Sequence, residues 1–258
     1  MMDTLHTPDQ IDETASAELE ISFRNTSKCF GTLTAVDDLS LDITKGQLVA
    51  LLGKTGCGKS TMFNMIAGLT SPTSGTVEVM GRDPFANFDW YRGKLAIVFQ
   101  NDRLLPWRNA VRNVELGLEM LDLSPTERHE RAIHWLHKLG LKGHEEDYPH
   151  ALSGGMRQRV SISRAFATDA ELILCDEPFS ALDEMTSRRL RTEFARLVRE
   201  NGKTAVFITH SIQEAFDIAD RIIVLKQPAE IAHDLEMTAD MDQRHYEKTR
   251  EMILASLS

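Results

Sequence analysis

The feature that most limits how this chain can fold is an apolar run that breaks into a glycine-rich loop. Leu48-Val49-Ala50-Leu51-Leu52 has no polar residue at either parity of an extended backbone, so it reads as a strand buried on both faces, the habit of a parallel sheet. Gly53-Lys54-Thr55-Gly56-Cys57-Gly58-Lys59-Ser60-Thr61 follows it and leads into a helix. The spacing G-x-x-x-x-G-K-[ST] in a strand-loop-helix setting is that of a phosphate-binding loop. Glycines let the backbone curl until successive N–H groups and the first turn of the helix converge on one point, where negative charge is favoured. Lys59 is placed to hold β and γ phosphates, and Ser60 to put its hydroxyl on Mg²⁺.

The rest of the chain has an α/β grammar. Leu95 to Phe99, Leu172 to Cys175, Ala205 to Ile208 and Ile222 to Leu225 are short apolar runs separated by helix-like stretches such as Arg188 to Glu200, the pattern of a parallel sheet with crossover helices. Upstream, Leu19, Ile21 and Phe23, then Leu39, Leu41 and Ile43, alternate with polar residues and predict antiparallel strands with one wet face. Between Asn109 and Leu141 the spacing turns helical, with Val111, Val114, Leu118 and Leu121 followed by Ala132, Leu136 and Leu139. The expected fold is α/β: a P-loop NTPase with a parallel-sheet core, an N-terminal antiparallel β subdomain and an inserted helical subdomain at about 101–165. Residues 1–18 are expected to be a disordered leader, 19–230 the folded domain and 231–258 a helical tail.

Two further segments carry chemistry. Leu172-Ile173-Leu174-Cys175-Asp176-Glu177 is an apolar strand that ends in two carboxylates, where ligands bind at the carboxyl ends of parallel strands. Asp176 is placed to hold Mg²⁺, directly or through water, and Glu177 to orient and deprotonate an attacking water. In Leu152-Ser153-Gly154-Gly155-Met156-Arg157-Gln158, Ser153 can cap a helix whose first N–H groups are bared by two glycines, a second device for grasping phosphate.

With that segment the sequence resembles the ATP-binding cassette family, whose signature motif begins Leu-Ser-Gly-Gly. The resemblance runs from Leu19 to about Lys226. It implies an ATPase that uses ATP and Mg²⁺, with Phe30 stacking on adenine, Gln100 as the Q-loop glutamine that reaches Mg²⁺ or the water, Ser180-Ala181-Leu182-Asp183 as the D-loop, and His210 as the switch histidine that contacts the γ-phosphate. Lys54-Thr55 stands where Pro-Ser is frequent, and Phe30 where Tyr is frequent; neither change removes a donor. Arg103-Leu104-Leu105-Pro106-Trp107 is similar to the nitrate, sulfonate and taurine importer branch. The family likeness further implies a second copy or paralogue of the cassette, a membrane permease, an external solute-binding protein, and a cytoplasmic place on the inner face of the membrane.

Charge and composition bear on the alternatives. With 39 acidic against 29 basic side chains the net charge is −10, which repels a nucleic-acid backbone and weighs against a cassette acting on DNA or ribosomes. An inactive homologue is disfavoured because Lys59, Ser60, Asp176, Glu177 and His210 are all present. The apolar runs are far shorter than the roughly 20 residues that cross a bilayer, so any membrane attachment goes through a protein partner. Cys29, Cys57 and Cys175 are isolated, without C-x-x-C spacing, which fits a reducing compartment. Cys57 reads as a small filler inside the loop.

Overall fold

The computed structural model describes residues 18–237 and 243–257. The leader expected at 1–18 lies outside the described residues except for Glu18. Strands β1 (Leu19–Phe30), β2 (Leu33–Thr44) and β4 (Ser74–Val79) form an antiparallel sheet in the order β2-β1-β4. The second sheet uses β3 (Leu48–Gly53), β5 (Leu95–Val98), β6 (Leu172–Asp176), β7 (Thr204–Thr209), β8 (Arg221–Lys226) and β9 (Glu230–Glu236) in the order β5-β6-β7-β3-β8-β9. Its pairings from β5 to β8 are parallel.

The two parities of the central strands serve two cores. Leu48, Ala50 and Leu52 of β3 pack with Ala205 and Phe207 of β7 beneath helices α4 (Gly154–Ala167), α5 (Glu184–Glu200) and α6 (Ile212–Ile218). Val49 and Leu51 face the other way, with Val206, Ile208, helix α1 (Lys59–Ile66) and Ile21, Phe23 and Leu41 of the antiparallel sheet. A parallel sheet covered on both faces needs this unbroken apolarity.

Helices α2 (Ala110–Leu118) and α3 (Pro125–Lys138) join α4 around a third core of Val111, Val114, Leu118, Ala132, Leu136 and Val160. Both start at strong caps: Asn109 accepts from Arg112 N, and Ser124 and Glu127 form a reciprocal capping box before Pro125. This is the helical insertion that the spacing predicts.

Two expectations are corrected. The tail at 231–258 is not helical throughout: β9 pairs antiparallel with β8, and among the described residues helix α7 spans Gln243–Ser256. The strand wins because it covers the open edge of β8 while Ala232 and Leu235 pack on one core and Ile231 on the other. The wet face expected of β1 is also partly dry, since Glu20 and Ser22 are buried beside Ile21 and Phe23.

Candidate nucleotide site

Adjacency in the parallel sheet gathers the site. β5, β6, β7 and β3 are neighbours running the same way, so the residues that follow each strand collect at one edge. These are Gln100 after β5, Asp176 and Glu177 at the end of β6, His210 after β7, and the loop Gly53 to Thr61 after β3.

The loop has the curl the glycines promise. Gly56 and Gly58 sit at φ of 85° and 105°, and a Cβ on Gly58 would meet the Ala35 carbonyl oxygen at 2.3 Å, so only glycine fits there. The Lys59 ammonium is buried and donates to the carbonyl oxygens of Gly53 at 2.6 Å and Lys54 at 2.8 Å. Among the described residues no carboxylate forms an ion pair with it, so its charge is left for a ligand. Helix α1 has neither a side-chain cap nor an acidic residue in its first turn, whereas α2 to α6 are each capped by a side chain. Its unsatisfied N–H groups suit an anion. Cys57 is buried behind the loop, with its Sγ 2.6 Å from where a Cβ on Gly53 would lie, consistent with filling space.

A cleft of about 290 Å³ opens over this loop. Phe30, Thr55, Gly56, Gly58, Lys59, Ser60 and Thr61 line it from one side, and Asp176 and Glu177 from the other. Phe30 presents its ring at 51% exposure, as a side chain that stacks on a ligand requires. Glu177 takes a left-handed φ of 44°, a conformation costing roughly 1 kcal/mol outside glycine. Its carboxylate meets His210 Nδ1 at 3.1 Å on Oε1 and Gln100 Nε2 at 3.4 Å on Oε2. Burial, and then the Glu177 charge, push the Asp176 carboxyl above its ordinary value. A half-buried carboxylate pair that shares the cleft with the Ser60 hydroxyl fits a hard divalent cation such as Mg²⁺.

Other expected residues stand apart. Ser153 caps α4 by accepting from Met156 N at 3.3 Å, but Ser153, Gly154 and Gly155 do not line the cleft; the first two are exposed. Asp183 caps α5 by accepting from Thr186 N at 3.0 Å and also stays out of the cleft. Within one chain, the two phosphate-grasping devices are not brought together.

The geometry agrees with the comparisons. Residues 36–180 match the family model described as ABC transporter. The chain belongs to the ABC transporter family. It is 41% identical over 214 residues to the taurine import ATP-binding protein TauB of Yersinia pestis, covering 83% of this chain and 82% of that one. It is 44% identical over 213 residues to the Fe(3+) ions import ATP-binding protein FbpC 1 of Rhizobium meliloti, covering 83% of this chain and 60% of that one. Among solved structures, a dimeric post-hydrolysis state of the ATP-binding cassette MJ0796 bound to ADP and Pi superposes with a TM-score of 0.74 at 34% identity, over 85% of this chain and 99% of that one. As an ABC cassette this chain binds and hydrolyses ATP.

In this cassette the segment around Gln100 is lashed to the helical insertion by residues whose part in this tie the sequence, Asn113 apart, does not signal. Gln158 Nε2 donates to Phe99 O, Arg157 Nε to Asp102 Oδ2, and Arg164 to the carbonyl oxygens of Asp102 and Arg103. Asn113, fully buried in α2, accepts from Leu105 N at 2.7 Å and donates to the carbonyls of Leu105, Arg108 and Asn109. The only advance signal was Asn113 itself, a polar residue beside the apolar Val111 and Val114 positions.

Proposed function

We propose that this chain is the ATP-hydrolysing motor of a solute importer, acting as a pair of cassettes beneath a membrane permease. The observation that carries the reading is the convergence of Lys59, Ser60, Asp176 and Glu177 on one cleft, with His210 and Gln100 both on the Glu177 carboxylate. Lys59 and the N–H groups of α1 bind the phosphates, Phe30 stacks on the base, and Thr55 to Thr61 wrap the phosphate chain. Ser60, Asp176 and the Gln100 amide oxygen would hold Mg²⁺, which would neutralise charge on the phosphate oxygens. Glu177 accepts the proton of the attacking water. His210 holds Glu177 in place and reaches for the γ-phosphate. Glu177→Gln keeps the shape and removes the proton acceptor, so turnover should fall by at least about a hundredfold while ATP still binds. A variant with near-normal turnover would rule out this assignment of the base.

The partners follow from surfaces. Ser153, Gly154, Gly155 and Asp183 lie outside their own cleft, which supports their serving the nucleotide of a second copy. A hollow of about 310 Å³ lies between the sheet core and the helical insertion, with Leu69, Phe88, Tyr91, Leu95, Ile97 and Met120 in its wall. Its apolar lining suits a short permease helix and not a triphosphate. Trp107 offers a second exposed apolar side chain to such a partner. Among the described residues no helix is long and apolar enough to cross a membrane. The likeness to import ATP-binding proteins supports a place on the cytoplasmic side of the cell membrane, held there by the permease. An external solute-binding protein and a small solute of the nitrate, sulfonate or taurine kind complete the assignment. Relatives of similar identity are named for taurine and for Fe(3+), and co-purification of the permease decides between such solutes.

A further inference from the structure

The largest of the almost fully buried side chains is an arginine outside the nucleotide cleft. Arg191 on α5 is 2% exposed. Its Nη1 donates to Ser187 Oγ at 2.7 Å and lies 3.5 Å from Glu214 Oε1; its Nη2 donates to Glu184 Oε1 at 3.0 Å and lies 2.9 Å from Asp217 Oδ2. Its Nε is buried with no partner. A guanidinium interred this way, with one N–H unsatisfied, is a costly means of joining two helices where an apolar side chain would suffice. The distinctive thing it does is to hold carboxylates on α6 in a fixed place.

Glu214 leads from there to the active edge of the sheet. Its Oε2 accepts from the Thr209 hydroxyl at 2.5 Å, and the same Thr209 oxygen accepts from Ser211 N at 3.0 Å. The residues on both sides of His210 are thus tied to one buried carboxylate. His210 meets Glu177 at 3.1 Å. On the other side, Glu177 leads through Ser180, whose hydroxyl donates to Glu177 O at 3.0 Å, to the Asp183 cap and Glu184 at the start of α5, and so back to Arg191. These contacts, together with the short run of chain from Ser180 to Glu184, close a circuit.

We propose that Arg191 is a positioning residue for ATP hydrolysis: by holding Glu214 against Thr209 it fixes where His210 stands relative to Glu177. It also joins the start of α5 to the His210 segment, so movement of the Ser180 to Asp183 loop is passed to His210. This rests on the reading of His210 and Glu177 given above.

The test is a double-mutant cycle on the full-length chain. Arg191→Met should lower kcat about tenfold with the KM for ATP within about twofold, because ground-state binding is untouched; Arg191→Lys should recover part of the loss. In a His210→Ala background the same Arg191→Met substitution should change the residual single-turnover rate by less than about twofold, since residues that act as a unit are not additive. A purely structural arginine gives a different pattern: the same fold-loss in both backgrounds, or a lowered melting temperature with kcat intact below it. Either result overturns the proposal, as does a rise in KM alone. If Arg191→Met does not fold, Thr209→Val keeps the branched shape and removes the hydroxyl; it must show the same kcat-specific, non-additive loss, and wild-type kcat in that variant overturns the proposal. Should His210→Ala lose no activity, both the site reading and this inference fall. A large loss in His210→Ala with none in Arg191→Met removes this inference alone.

Discussion

At the scale of single residues, the most informative side chain outside the site is Glu20. It is 2% exposed, with one carboxylate oxygen lacking any partner, and burial lifts its pKa from 4.5 to about 6, Lys45 offsetting part of the effect. The folded state therefore holds the Glu20 proton more tightly than the unfolded chain. Its contribution to stability is fully present below about pH 4.5, is lost as the pH rises to about 6, and stays lost above. At about 1.4 kcal/mol for each pH unit of displacement, the loss is about 2 kcal/mol. Glu20→Gln should stabilise the protein by about 1 to 2 kcal/mol at pH 7.5 and by almost nothing at pH 4.5, read from urea unfolding at the two pH values. Equal effects at both would show that Glu20 is not titrating between them. Alternation alone could not reveal this residue, because period two places Glu20 opposite Ile21 and says nothing of what covers that opposite face. The gathering of Lys59, Asp176 and Glu177 at one cleft was legible for the converse reason: it depends on the chain neighbours of a strand end, which sequence shows directly.

At the scale of elements, the loop after Gln100 and helix α2 behave as one piece. Asn113 holds Leu105, Arg108 and Asn109 through four hydrogen bonds, at about 1 kcal/mol each and more where a buried partner is stranded. Asn113→Ala should then cost about 2 to 4 kcal/mol and lower the melting temperature by about 5 to 10 °C. Trp107, two residues on from Leu105, is 71% exposed, which removes the alternative that it is a core side chain. Trp107→Ala should leave melting and basal ATP hydrolysis of the isolated chain unchanged, within about 0.5 kcal/mol of stability, while lowering stimulation and transport in the assembled complex. Melting curves of the two variants side by side check the contrast; a large drop for Trp107→Ala would end its coupling role. Helices α2 and α3 were readable from their spacing, and the start of α4 from the Ser153 cap. β9 was not, since seven residues of mixed polarity, Glu230 to Glu236, become a strand only because β8 offers them an edge.

At the scale of the whole molecule, the decisive fact is one of placement. A single chain turns Lys59, Asp176 and Glu177 towards its cleft but leaves Ser153 and Gly154 exposed and away from it, at the capped and glycine-bared start of α4. On the proposed reading a complete site sets the Ser153 end of one copy over the Lys59 loop of another, and each pair of copies would hold two such sites related by symmetry. Complementation tests this arrangement directly. Lys59→Ala and Ser153→Arg should each be inactive alone, the first through lost phosphate binding and the second through a bulky cation in place of the cap. Mixed in equal amounts, half of the randomly formed pairs contain one of each, and in these one site carries both defects and the other carries none. Activity should return to about a quarter of the wild-type level if intact sites work independently, and to less if they must fire together. The concentration dependence gives the second reading: hydrolysis by the wild type should rise more steeply than linearly below the dimerisation constant. Ser153→Arg hydrolysing ATP at the wild-type rate, with turnover linear in concentration at every dilution, would mean that one chain completes its own site.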